Sequence, residues 1–265
     1  MIKFVISDYN WLNADLSKAW FNEFTSDYII LDKFHRFSKS DNVVWQKNVG
    51  QNVFDMFDYI VENYDNLPEK IFFCRSAITF PQGRSKPLTN GNCSLEKIRK
   101  LINKEGLIEV NNYSDLEKYK ILNKTFKYSR KMDKFKIINP NKVNLFEKFK
   151  FKINKYPTSF CNTKEGYLEI NNNWYIKHYK FKFFRSFDIL MKSLFENYSH
   201  KRYIRYSPGC NYIIPSANIY KYPKDLYLRL RSLVDYAPVV GEAFILERAL
   251  YLIFKGHLKY NDQIK

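Results

Sequence analysis

The first third of the chain alternates between short apolar runs and longer stretches with apolar residues at helical spacing. The apolar runs have the length and the residue types of β-strands. The predicted strands are residues 2–7, 28–31, 43–45 and 71–74, and the predicted helices are residues 11–24 and 53–61. An alternation of this kind builds a parallel sheet covered by helices, with the loops after the strands at one edge.

The remaining two thirds of the chain are irregular in the middle and regular again towards the end. A Gly- and Pro-rich loop at residues 81–92 precedes a helix that Ser94 can cap. Further predicted elements are a hairpin of residues 167–170 and 174–176, strands at 203–206 and 211–214, and helices at 187–198, 223–236 and 241–254. We therefore predict one α/β domain over residues 1–265, with a mostly parallel central sheet flanked by helices. A basic insertion at residues 111–160 separates its two halves, residues 1–110 and 161–265.

Composition narrows the class of protein. A hydrophobic content of 45% and an aromatic content of 18% exclude a disordered chain. The four cysteines and four histidines lack metal-ligand spacing, so we expect reduced structural thiols and no metal site. No run approaches the roughly 18 to 20 apolar residues of a membrane-spanning helix. The first residues do not resemble a signal peptide either, so we expect a cytoplasmic protein.

The net charge of +17 is unevenly distributed along the chain. Residues 1–70 carry 7 Lys and Arg against 11 Asp and Glu, whereas residues 118–155 carry 13 against 2, a net charge of +11. A basic segment of this kind is typical of a protein with a polyanionic partner. The alternative is a genome rich in A/T codons, which raises the lysine content without any binding role.

Four short blocks of sequence carry a family resemblance. They are VISDYN at residues 5–10, VWQKNVGQ at 44–51, YIVENYDNLP at 59–68 and YSPGCNYIIP at 206–215, followed by Leu246-Glu247-Arg248. Together they resemble a family of bacterial, fungal and viral domains regarded as glycosyltransferases of the GT-A type. The resemblance spans residues 1–80 and 165–256 and does not include the basic middle. It implies a Rossmann-related fold and a nucleotide-sugar donor, such as a UDP-sugar.

The chain departs from the family at three points. Gln51 stands where members have arginine after the Asn-x-Gly turn, and Cys74-Arg75-Ser76 stands where members have a Gln-Gly pair. The Asp-x-Asp motif, which in most GT-A enzymes holds Mg²⁺ or Mn²⁺ on the donor diphosphate, occurs nowhere in the sequence. We therefore expect no metal cofactor, with cations such as Arg75, Arg84 and Lys86 neutralising the diphosphate; the alternative is a loss of donor binding.

The resemblance places the nucleoside of the donor at the ends of the first two strands. Asp8, Tyr9 and Asn10 would contact the base, the polar groups by hydrogen bonds and Tyr9 by stacking. Asp32 and Lys33 would contact the ribose. The competing interpretations are an ordinary Asx turn after the first strand and a solvated loop after the second.

The resemblance also implies contacts to the donor phosphates. Asn48, Gly50 and Gln51 open a helix whose backbone N–H groups suit a phosphate, although such turns are common. Arg75 and Ser76 follow the fourth strand and complete the expected donor site.

A catalytic base is expected on the last predicted helix. Glu247 shares its helix face with apolar residues such as Phe244, and partial desolvation would raise its pKa towards that of a base. Such a base removes the proton of the acceptor hydroxyl. The alternatives are a salt bridge between Glu247 and Arg248, and Glu242 as the base. Glu242 is equally well explained as a charge at the helix N-terminus.

The sequence thus predicts a glycosyltransferase that moves a sugar from a nucleotide-sugar to a hydroxyl acceptor. Aromatic residues interleave with the cations of residues 118–155, a mixture that suits nucleic acid, so a hydroxymethylated base in DNA is one candidate acceptor. The expected acceptor contacts are Lys127, Arg130, Lys131, Lys134 and Gly209. The alternatives are a surface-glycan acceptor, a catalytically inert nucleic-acid-binding protein and, for residues 149–152, a half-buried strand.

Overall fold

The computed structural model describes residues 2–79, 93–110, 126–129, 134–137, 160–163, 166–171, 173 and 179–262. The strands are β1 (Ile2–Asp8), β2 (Tyr28–Asp32), β3 (Val43–Trp45), β4 (Lys70–Arg75), β5 (Ile108–Glu109), β6 (Phe126–Ser129), β7 (Lys134–Ile137), β8 (Phe160–Thr163), β9 (Gly166–Ile170), β10 (Tyr203–Arg205) and β11 (Tyr212–Pro215). The helices are α1 (Gln51–Asn63), α2 (Leu95–Ile102), α3 (Phe187–Leu194), α4 (Ser216–Ile219), α5 (Lys224–Ser232) and α6 (Gly241–Lys255).

Six strands form the central sheet in the order β3-β2-β1-β4-β11-β5. The first four are parallel to one another, and β11 runs antiparallel to both of its neighbours. The predicted mixed α/β fold with a mostly parallel central sheet is confirmed. Two smaller sheets pair β6 with β7 and place β9 between β8 and β10.

Apolar side chains cover both faces of the central sheet. Along β1, Phe4 and Ile6 pack on one face with Trp20, and Val5 packs on the other. The face of Val5 carries α1, α3, α5 and α6, which supply most of the larger core cluster. The two-sided burial explains why the strands of this sheet read as continuous apolar runs.

The helix predicted for residues 11–24 is wrong. The chain forms two short 3₁₀ turns there, Leu16–Lys18 and Trp20–Glu23. Asp15 accepts the N–H of Ser17, which a helix over these residues would donate to the carbonyl of Asn13, and Asp8 accepts the N–H groups of Trp11 and Leu12 in the turn after β1. Local side-chain acceptors compete with helix formation in this way.

Other predicted elements keep their type, with changed bounds or partners. The helix predicted for residues 187–198 ends at Leu194, where Phe195 pairs with Tyr260 in a β-bridge. β9 pairs with β8 and β10, and residues 174–176, the second strand of the predicted hairpin, lie outside the described part. Ser94 caps α2 as predicted, accepting the N–H of Lys97 at 3.1 Å.

The order of the strands reverses at β1, where the general rule for open α/β sheets expects a ligand crevice. The chain runs from β1 to β2 and β3 on one side and then returns to the other side of β1 as β4. Crossover connections on opposite sides of a strand leave a gap at the carboxyl ends, where open α/β sheets bind their ligands. None of the described helices is long and apolar enough to cross a membrane.

Candidate functional site

Three buried polar groups lie at the carboxyl ends of β1 and β4. The Tyr9 hydroxyl, the Arg75 Nε and the Ser76 hydroxyl are each buried without a hydrogen-bond partner among the described residues. The Arg75 guanidinium carbon lies 5.7 Å from the centre of the Tyr9 ring, so at least two of these side chains are neighbours. Buried polar groups without partners are rare because each costs free energy. These three groups are therefore candidates to contact a ligand in the crevice.

The charges around Tyr9 are mixed. Burial raises the pKa of the Tyr9 hydroxyl well above its ordinary value, Asp55 raises it further, and Arg75 opposes both effects. The hydroxyl therefore stays protonated and can donate a hydrogen bond. The ring also lies 5.5 Å from the Lys33 ammonium, within the range of a cation–π contact.

A tight turn faces these residues from the other half of the chain. Gly209 adopts a φ of 77° within the 3₁₀ turn Pro208–Cys210, and its N–H donates to Glu247 Oε1 at 2.6 Å. Its carbonyl accepts from the side chain of Asn52 on α1. Cys210 is buried and also has a positive φ, of 56°. The positive φ values turn the Gly209 N–H towards the helix that carries Glu247.

Glu247 has the environment expected of a base. Its side chain is 17% exposed, and burial raises the pKa of its carboxyl above the ordinary range. Arg248, the Gly209 N–H and Arg75 each lower that pKa by less. The predicted desolvation of this carboxyl is confirmed. The predicted salt bridge is present as well, with Arg248 Nη1 3.3 Å from Glu247 Oε2.

Glu242, the other candidate base, is fully engaged in holding the fold. Its Oε1 accepts the N–H groups of Lys182 at 2.7 Å and Phe183 at 2.6 Å, and its Oε2 accepts the Tyr236 hydroxyl at 2.5 Å. The side chain is almost completely buried. These contacts tie the segment before α3 to the start of α6, so the geometry favours Glu247 over Glu242 as a base.

Asp8 and Asp32 organise the loops after the first two strands. Both side chains are fully buried. Besides the two N–H groups of the following turn, Asp8 binds Arg36 at 2.5 Å. Asp32 accepts the N–H groups of Phe34 at 3.0 Å and Phe37 at 2.9 Å. The contacts of Asp8 are those of the Asx turn in the competing interpretation, and Asn10 beside it adopts a φ of 69°. The solvated loop that competed for Asp32 and Lys33 is wrong, because both side chains are buried. Contacts of these residues with a base or a ribose remain predictions.

Lys33 is buried just after the end of β2. Its ammonium lies 2.7 Å from the Asp55 carboxylate on α1 and donates to the carbonyls of Val49 at 2.9 Å and Gln51 at 3.0 Å. Burial raises the pKa of Asp55 to about 6, and the Lys33 charge opposes that rise. The ion pair ties the end of β2 to the first turn of α1, so Lys33 has a structural role whether or not it also contacts a ribose.

The start of α1 is packed against the end of α5. Gly50 has a φ of 56°, and a Cβ at this position would lie 2.8 Å from the Val234 carbonyl oxygen. The Gly50 N–H donates to the carbonyl of Ala237 at 2.9 Å. Glycine is required here by both the backbone angle and the close approach. The N–H of Gly50 is therefore occupied, while Asn48 is exposed beside it.

The expected acceptor contacts are only partly described. Lys127 lies in β6 and Lys134 in β7, which form an antiparallel pair, whereas Arg130 and Lys131 lie outside the described residues, as do Arg84 and Lys86. Gly209, the remaining expected acceptor residue, lies beside Glu247.

Sequence reasoning missed three residues of the site. Asp55 could have been found as an acidic residue within the apolar face of α1, and Glu169 as an acidic residue within an apolar strand; both are almost completely buried. Cys210 carried no signal beyond its position after Gly209. Like Cys74 and Cys93 it is free and buried, as predicted for structural thiols.

Within the described ranges, no cluster of three or more His, Cys, Asp and Glu side chains could hold a metal ion. No family model, no curated protein and no solved structure matches this chain.

Proposed function

We propose that this chain is a nucleotide-sugar-dependent glycosyltransferase with a GT-A-like fold and its donor site in the crevice between β1 and β4. The observation that carries the proposal is that unpartnered polar groups and a desolvated carboxyl lie close together. Tyr9, Arg75 and Ser76 offer buried polar atoms without partners among the described residues, and Glu247 is a desolvated carboxyl whose pKa the charge of Arg75 lowers. A group transfer to a hydroxyl needs hydrogen-bond donors that bind a phosphate and a nearby carboxyl of raised pKa that accepts a proton.

The proposed reaction is a single displacement. The Glu247 carboxylate takes the proton from the acceptor hydroxyl while that oxygen attacks the anomeric carbon of the donor. The bond from this carbon to the diphosphate oxygen breaks, and the nucleoside diphosphate leaves with the electron pair. The Arg75 guanidinium neutralises the charge that grows on the leaving diphosphate, and the hydroxyls of Tyr9 and Ser76 donate hydrogen bonds to it.

Donor binding is tested by thermal shift with a panel of nucleotide-sugars. We expect one donor class to raise Tm by roughly 5 °C at a ligand concentration of about 100 Kd. The shift should persist in EDTA because Arg75 supplies the positive charge that a metal would supply. Arg75→Gln should abolish the shift, whereas Arg99→Gln, at an exposed arginine on α2, should leave it unchanged. A panel without any stabilising donor would refute the proposal, and a shift that collapses on chelation would refute its metal-independent form.

The proposal for the acceptor rests on the charge distribution of the sequence and not on the residues of the crevice. Codon bias should raise lysine throughout the chain, yet residues 1–70 are net acidic and the excess of +11 is concentrated in residues 118–155. This uneven distribution favours a polyanion, and therefore a modified base in DNA, as the acceptor.

We expect DNA binding that tolerates any sequence and weakens linearly in log affinity with log salt concentration. Changing Lys127, Arg130, Lys131 and Lys134 together to alanine should flatten that slope by several units, since each lost phosphate contact removes about one unit. Donor binding should stay unchanged. Fluorescence anisotropy measures the slope, and the absence of DNA binding at about 50 mM salt would leave a surface glycan as the acceptor.

A further inference from the structure

Arg248, the neighbour of Glu247 on α6, is held in one orientation by contacts on all sides. Its Nε and Nη2 donate to the two carboxylate oxygens of Glu169 on β9, the second at 3.1 Å. Its Nη1 donates to the Phe244 carbonyl at 2.9 Å, and its guanidinium carbon lies 4.8 Å from the centre of the Tyr206 ring. The Tyr206 hydroxyl also donates to Glu169, at 3.2 Å. A forked arginine–carboxylate pair of this kind fixes the plane of both groups.

The same guanidinium contacts the proposed base. Its Nη1 lies 3.3 Å from Glu247 Oε2, while the Gly209 N–H holds the other oxygen of Glu247 at 2.6 Å. The carboxylate of Glu247 is thus held at both oxygens. Arg248 interacts with both Glu169 and Glu247, so the protonation state of either carboxyl affects the other.

We propose that Glu169 and Arg248 are positioning residues that fix the carboxylate of Glu247 and set its affinity for a proton. Glu169 acts through Arg248, because it draws the guanidinium charge away from Glu247 and adds a negative charge of its own nearby. The catalytic part of this inference rests on the proposed function, whereas the effect on Glu247 does not.

Several groups besides this pair face Glu247 and stay unchanged in the test. They are Arg75 on β4, the thiol of Cys210 in the 208–210 turn and the hydroxyl of Tyr212 on β11. Arg75 lowers the pKa of Glu247, and burial raises the pKa of both the thiol and the hydroxyl. With these groups constant, a shift in the titration of Glu247 reports on Glu169 and Arg248.

The experiment is a titration of the Glu247 carboxyl carbon by NMR in ¹³C-labelled protein, with the signal assigned from Glu247→Gln. In Glu169→Gln, the titration midpoint should move to lower pH, because Arg248 then neutralises Glu247 alone. Turnover should fall by about 10²-fold with KM unchanged, the scale of a displaced catalytic group. The matched control is Glu109→Gln. It breaks an ion pair with Arg205, which lies 4.3 Å from the Tyr251 ring of the same helix, and should leave the midpoint at the wild-type value.

A second variant keeps the test decisive if Glu169→Gln fails to fold. The pair Glu169→Gln with Arg248→Met removes both charges, an exchange that buried ion pairs often tolerate. Glu247 then loses the cation that lowers its pKa most, so the midpoint should move to higher pH, opposite to the single variant. An unchanged midpoint, or shifts of the same sign in both variants, would overturn the inference. Opposite shifts without transfer from any donor would support the positioning pair and refute the glycosyltransferase.

Discussion

Lys33→Met should lower the free energy of unfolding by about 4 kcal/mol, the usual scale for removing one partner of a buried ion pair. The substitution leaves the buried carboxylate of Asp55 without its cation and removes the hydrogen bonds that Lys33 donates to the carbonyls of Val49 and Gln51. Chemical denaturation at neutral pH measures the loss.

A matched control separates burial from charge in this experiment. Lys47→Met breaks the ion pair with Asp235, in which the lysine side chain is 66% exposed, and should change stability by less than about 0.5 kcal/mol. Combining Lys33→Met with Asp55→Leu should recover most of the lost stability, because both buried charges are then gone. If Lys33→Met is as stable as the Lys47→Met control, the buried pair does not hold β2 and α1 together.

The same ion pair predicts how stability depends on pH. The pKa of Asp55 rises from 3.8 to about 6 on folding, so the folded protein binds this proton more tightly than the unfolded chain. The contribution of Asp55 to stability is therefore full below pH 3.8 and is lost as the pH rises through about 6. In Lys33→Met the pKa should rise further, and the loss should extend to higher pH.

Glu247→Gln should lower turnover by roughly 10²-fold or more while leaving donor affinity and the fold intact. Glutamine keeps an oxygen that accepts the Gly209 N–H but offers no carboxylate to take the proton of the acceptor hydroxyl. Steady-state kinetics with the donor class found by thermal shift measures the loss.

Glu242→Gln is the control on the same helix. Its carboxylate accepts two backbone N–H groups and the Tyr236 hydroxyl, so the variant should lose stability and keep its turnover per folded molecule. Normal turnover in Glu247→Gln together with an inactive, folded Glu242→Gln would assign the base to Glu242. Activity in both variants would mean that the base does not lie on α6.

The sequence determined the elements whose buried positions follow a local hydrophobic pattern. Continuous apolar runs identified β1, β2 and β4 because these strands are covered on both faces. Helical spacing identified α1 and α6, and the same spacing placed apolar neighbours around Glu247, from which its raised pKa followed. The period failed at residues 11–24, since Asp15 binds the N–H of Ser17, which a helix would have used.

The tertiary structure decided which distant segments meet at the crevice. The insertion of β11 beside β4 brings the Gly209 turn to the level of Arg75, whose N–H donates to Asn211 at 2.9 Å, 136 residues away along the chain. The Lys33–Asp55 and Glu169–Arg248 pairs likewise join separate elements. A local sequence pattern indicates that a face is buried but does not identify the residues that pack on it. Those residues depend on packing and on the pairing of buried charges across the whole chain. The candidate site depends on that selection.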